Sequence, residues 1–214
     1  MSRFKEPFNG LSHLVGAYLA LIGTVVLVAA SWGDAPKRLS LAVYGASLTI
    51  MLASSAAYHS IRCSPARVRR FRKIDHASIY LLIAGTYTPL CFNLFSGFWQ
   101  WGLLAIVWGI AILGMVSKAF YISQSDWFFV SIYLGAGWIS VLAIGEILRV
   151  LPAEAIMWLF AGGLLYSVGA ILLVGKRLDF KPGVFGHHEV WHLFVAGAAF
   201  CHFMLMLKYV VPVT

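Results

Sequence analysis

Seven apolar runs constrain this chain more tightly than any other feature of it. They cover residues 13–32, 39–59, 75–95, 98–116, 127–145, 154–174 and 188–211. Each is close to the ~20 residues that a helix needs to span a bilayer. The runs predict an all-α membrane protein, a seven-transmembrane helix bundle, with residues 1–214 forming a single membrane domain. The connections are short and leave no room for a separate soluble domain. Composition agrees: 61% of the residues are hydrophobic and 11% charged, where soluble domains carry about 25% charged residues. The first run follows Arg3 and Lys5, as a signal peptide would. It is long enough to cross and six more spans follow, so it reads as an uncleaved first helix. Gly109, Gly114, Gly135, Gly137, Gly162 and Gly163 lie within the spans and are expected to allow close helix packing. Pro89 is expected to kink the third helix.

The formal charge is +8, which by itself suits nucleic acid. The basic residues, however, gather in short loops between apolar runs, the pattern that orients a membrane protein. Arg3, Lys5, Arg62, Arg67, Arg69, Arg70, Arg72, Lys73, Lys118, Lys176, Arg177 and Lys181 fall on one side, against Lys37, Arg38, Arg149 and Lys208 on the other. The richer side is expected to be cytoplasmic, so the N-terminus lies inside and the C-terminus outside. The expected partners are membrane lipids, not nucleic acid. Cys63, Cys91 and Cys201 are scattered with no C-x-x-C spacing. They provide neither a disulfide framework nor a cysteine zinc site, and read as packing residues.

Titratable groups inside a bilayer are costly, which makes them functional candidates. His188 and His192 are four residues apart in the last run. On a helix both imidazoles share one face, about a turn apart, and can bind one zinc ion. The topology supplies a third ligand. His59 ends the second span on the inner side, Asp75 and His76 begin the third there, and His188 and His192 begin the seventh there. A zinc site of His59, His188 and His192 is therefore expected near the cytoplasmic face, with a fourth position open to water as in catalytic zinc sites. Ser55 lies one turn deeper than His59 on the same face; it either joins the site or bonds its own backbone. Asp75 either handles a proton of the site's water or pairs with Arg72 or Lys73. His76 and His187 are expected at the interface. His202 is ~15 Å along the helix from His192 and is expected to be a buried, hydrogen-bonded residue outside the site.

The stretch His188-Glu189-Val190-Trp191-His192 also spells H-E-x-x-H, the metalloprotease motif. The longer metzincin form needs Gly and His where this chain has Val195 and Ala198. The thermolysin-like form needs a downstream Glu ligand, and no Asp or Glu follows Glu189. The protease reading therefore lacks its third ligand.

Taken together, Ser55-x-x-x-His59, Asp75 and His188-x-x-x-His192 resemble the progestin and adipoQ receptor (PAQR) superfamily. Glu6-Pro7-Phe8-Asn9-x-x-x-His13 also looks like its N-terminal motif. With Phe185-Gly186-His187-His188 before Glu189, the chain most resembles the bacterial hemolysin III branch. The resemblance covers essentially the whole chain. It implies a multi-pass protein of the bacterial inner membrane, with seven helices and a cytoplasmic N-terminus. It implies one zinc held by His59, His188 and His192, an aspartate (Asp75) reaching the metal through water, and Ser55 as a companion serine. His13 matches a family position but stays outside the expected metal shell.

Three functions follow as expectations. The first is a zinc-dependent hydrolase of a lipid amide or ester, ceramidase-like, contributing to membrane-fluidity homeostasis, with Asp75 and Ser55 as catalytic residues. The second is a non-catalytic sensor of membrane state with structural zinc. The third is a cytolysin; a pore wants a continuous polar stripe, whereas these polar groups sit at one depth.

Overall fold

The computed structural model describes residues 5–120, 126–181 and 185–213. Its helices are α1 (Pro7–Ala30), α2 (Ala35–Ser60), α3 (Pro65–Leu94), α4 (Gly97–Phe120), α5 (Asp126–Trp138), α6 (Ile144–Val150), α7 (Ala153–Val174) and α8 (His187–Leu205). A 3₁₀ segment, Ile139–Ala143, joins α5 to α6, and a π-helical turn, Met206–Val210, extends α8. Among the described residues, seven helical spans are long and apolar enough to cross a membrane, with α5, the 3₁₀ segment and α6 counting as one.

Three helices begin earlier than the apolar runs do. In α1, α2 and α3 a proline occupies the first or second helical position, where its missing N–H costs no hydrogen bond. Asp34 also caps α2, its carboxylate accepting from the Lys37 N–H at 2.9 Å. Asp75, expected at the start of the third helix, therefore sits ten residues inside α3. The helix has a polar first part, which apolarity alone does not reveal. Likewise His13 lies within the second turn of α1 rather than at its start. Pro89 is buried inside α3, which continues through it.

The break between α5 and α6 has a local cause. Tyr87 of α3 donates its hydroxyl to the Gly137 carbonyl at 2.7 Å and accepts from the Ser140 N–H at 2.8 Å. These bonds satisfy backbone groups that a regular helix would pair internally.

Helix α1 packs along α2, α2 along α3, α3 along α4, and α7 along α8, while α1 also touches α8. Small residues set several of these approaches. A side chain at Gly45 would meet Thr24, one at Gly85 would meet Ser47, and one at Gly10 would meet Ser60. Of the glycines singled out in the sequence, Gly114 packs on Tyr80 and Gly162 on His202. Gly109, Gly135 and Gly137 instead face open space, which corrects the packing role expected of them. The core is built on buried Leu41, Tyr44, Tyr80, Leu103 and Leu205. Leu19, Leu113 and Leu142 point outwards, as lipid-facing side chains do.

Candidate metal centre

Two helices bring three imidazoles together. His59 is in the last turn of α2, and His188 and His192 lie in the first two turns of α8. One ligand atom from each lies within 4.8 Å of the others. The ring centroids of His59 are 4.9 Å from those of His188 and of His192, at steep interplanar angles of 69° and 80°. The His188 and His192 rings are 5.2 Å apart. His59 and His192 are each about 2% exposed or less. Among the described residues His188 has no hydrogen-bond partner.

This donor set fits a zinc ion. Three neutral imidazoles without a thiolate match catalytic zinc sites that keep one position open. Burying three polar rings beside one another is unfavourable unless their nitrogens find partners, and a shared cation is one.

The centre lies at the polar end of a cavity of about 420 Å³. Ser55, His59, Asp75, His188 and His192 line that end. The remainder is lined mostly by apolar residues, Leu82, Ile83, Leu134, Phe160 and Val195 among them, with Thr86, Ser140, Ser167 and His202 interspersed. The chamber is of ordinary small-molecule size. Arg72, Lys118 and Lys176 also border it, so its polar end is the end of the bundle with the basic loops.

Ser55 of α2 and Asp75 of α3 both line this end of the cavity, across the α2–α3 contact. Neighbouring serines cross the same contact: Ser78 donates to the Asp75 carbonyl at 2.7 Å and accepts from the Ser54 hydroxyl at 2.9 Å. The Ser54 hydroxyl also lies 2.9 Å from the Met51 carbonyl of its own helix, whereas Ser55 has no such backbone partner among the described residues. Among the described residues Asp75 forms no ion pair with Arg72 or Lys73. Lys73 instead donates to the Ala119 carbonyl at the end of α4, at 2.5 Å.

The remaining histidines divide as follows. His202 bonds the Leu159 carbonyl at 3.3 Å and packs on Gly162, away from the centre. His76 and His187 border the cavity without joining the cluster. His13 is 2% exposed and stacks on His192, centroid to centroid 3.7 Å.

Sequence reasoning missed a group of residues at the start of α1. The Glu6 Oε2 lies 2.5 Å from His59 Nδ1. This hydrogen bond is the main cause that lowers the Glu6 carboxyl to about 2. Asn9 donates to Glu6 at 3.2 Å and to Glu189 at 2.9 Å, and Ser12 lies 3.5 Å from His192 Nδ1. The other Glu189 oxygen accepts from the Gly186 N–H at 2.9 Å. Both oxygens of the acid in the H-E-x-x-H spelling are thus engaged, one holding α8 to α1 and the other capping the start of α8. The signal was present in the N-terminal motif Glu6-Pro7-Phe8-Asn9-x-x-x-His13, but nothing in it pointed to the histidines.

Comparison with known proteins agrees along the length of the chain. A family described as "Haemolysin-III related" matches residues 1–203. The chain is 36% identical over 210 residues to "Hemolysin-3" of Bacillus cereus, covering 97% of this chain and 93% of that one. It is 35% identical over 211 residues to a "Hemolysin-3 homolog" of Bacillus subtilis, covering 98% and 96%. It is 28% identical over 230 residues to an "ADIPOR-like receptor IZH2" of Saccharomyces cerevisiae, covering 95% and 71%.

Proposed function

The chain belongs to the haemolysin-III-related family, as a multi-pass protein of the bacterial plasma membrane, and on that premise we propose that it is a zinc-dependent hydrolase of a lipid amide or ester. The observation that carries this reading is the placement of three histidines, an acid and a hydroxyl at one end of a mostly apolar chamber. A lipid can lay its chain in the apolar part while its amide or ester reaches the polar end. His59, His188 and His192 would hold the zinc. Zinc when bound supplies Lewis acidity, polarising a carbonyl and making water a better nucleophile near neutral pH.

The chain's own residues do the rest. Asp75 takes a proton from the attacking water and returns it to the leaving amine or alkoxide. Ser55 donates its hydroxyl to the charge that develops on the carbonyl oxygen. Its place opposite Asp75 on the α2–α3 contact keeps both groups at the same end of the chamber. On this reading the end with the basic loops, and with it the N-terminus, faces the cytoplasm and the C-terminus faces outside, as the excess of basic residues in those loops favours.

The engaged Glu189 argues against a protease of H-E-x-x-H type. The name of the Bacillus relatives points to lysis of blood cells. A pore needs a continuous polar stripe through the whole bilayer, whereas the lining of this chamber is mostly apolar. A non-catalytic sensor remains the competing reading, because the same three histidines can bind zinc for structural purposes.

The test uses purified protein in lipid nanodiscs, supplied with long-chain amide and ester lipids and analysed by mass spectrometry. Release of free fatty acid that stops on chelation and returns with zinc is the expected result. Zinc-loaded protein that releases nothing from any of these lipids would favour the sensor.

A further inference from the structure

Helix α1 contributes no histidine to the cluster, yet its first two turns reach two of the three. The segment is strapped to the end of α2 through the backbone. The Glu6 N–H donates to the His59 carbonyl at 2.9 Å, and the Lys5 N–H to the Ser60 carbonyl at 3.4 Å. Those carbonyls belong to the last turn of α2, where no intrahelical donor remains for them. Gly10, seated against Ser60, lets the two helix ends come this close. The strap leaves the Glu6 side chain beside the His59 ring, Oε2 at 2.5 Å from Nδ1. An ionised carboxylate only accepts, so His59 Nδ1 carries the hydrogen and Nε2 is the nitrogen left with a lone pair.

The same logic holds at His192. The Ser12 hydroxyl donates to the Asn9 carbonyl at 3.1 Å, so towards His192 Nδ1, at a long 3.5 Å, its oxygen acts as acceptor. Asn9 then links the segment to α8 by giving one N–H to Glu6 and the other to Glu189. A ring that binds a metal through one nitrogen usually donates its other N–H to an oxygen, which fixes both tautomer and orientation.

We propose that the start of α1 is a clasp that sets the tautomers of the metal-binding histidines, with Glu6 the positioning residue for His59 and Ser12 a weaker one for His192. The proposal rests on the reading of this cluster as a metal centre. It assigns a role to residues that touch neither the metal nor a substrate: they set how tightly the metal is held.

The test uses the full chain in nanodiscs, stripped of metal, with two readouts. Histidine ring-nitrogen NMR reports each tautomer before metal is added, and competition with a chromophoric chelator reports zinc affinity. In the unaltered protein His59 should be in the Nδ1–H form. Glu6→Gln can donate as well as accept, so His59 should become a mixture of tautomers and zinc should bind about 10–100-fold more weakly. Glu6→Asp should recover part of that loss. Ser12→Ala should loosen the His192 tautomer with a smaller loss of affinity. Glu6→Gln with wild-type affinity and His59 still wholly Nδ1–H would overturn the clasp. Should Glu6→Gln fail to fold, Ser12→Ala decides by the same readouts at His192, and an unchanged tautomer there with unchanged affinity overturns it. If the unaltered protein takes up no zinc, the metal reading falls, while the tautomers of the metal-free protein still decide the clasp.

Discussion

At the scale of single residues, His192 illustrates what a sequence can and cannot disclose. Its spacing from His188 puts both rings on one helical face, and topology brings His59 to the same end of the bundle. That much was legible, because helix periodicity and membrane depth are one-dimensional properties. The hydrogen bond of Glu6 to His59 was not, because it depends on where α1 begins and how it crosses α2. The role of Glu189 was hidden for the same reason: its partner Asn9 is 180 residues away. His188→Ala or His192→Ala should each remove most of the bound zinc, measured as metal per protein after purification. His202→Ala should retain it, since His202 is committed to the Leu159 carbonyl. Full retention by both of the first two variants would contradict the metal centre.

At the scale of helices, number and order were readable but ends were not. An apolar window detects the part of a helix in lipid and stops at its charged extension. For α3 that extension runs from Pro65 through the arginines to Asp75. The prolines that open α1, α2 and α3 were the local signal for the true starts. Glycine roles were equally hard to read, because a gap or a contact belongs to the neighbouring helix. Gly45 faces Thr24 of α1, whereas Gly109 faces open space. Gly45→Val should therefore overpack the α1–α2 crossing and cost about 1–3 kcal/mol. Gly109→Ala should cost nothing and gain up to about 1 kcal/mol from helix propensity. Unfolding in detergent, followed by circular dichroism with added denaturant, compares the two. Equal effects would show that the crossing does not depend on that close approach.

At the scale of the whole molecule, the basic loops, the histidine cluster and the polar end of the cavity share one end of the bundle. The apolar part of the chamber runs from there between α3, α5, α7 and α8. A reporter fused after residue 214 should lie outside the membrane, and one inserted near Arg69 in the cytoplasm. Both on one side would break the topology that places the site. The central claim is that this arrangement holds a metal and also performs chemistry, and Asp75 separates the two. Asp75→Asn keeps size and most hydrogen bonding while removing the base. The decisive measurement is zinc content and fatty-acid release on the same preparation of that variant. The account predicts zinc still bound and release slowed about 10²–10⁴-fold, the usual effect of losing a general base. Zinc bound with release unchanged would contradict the catalytic role of Asp75, and loss of zinc would make Asp75 a ligand and contradict the three-histidine centre.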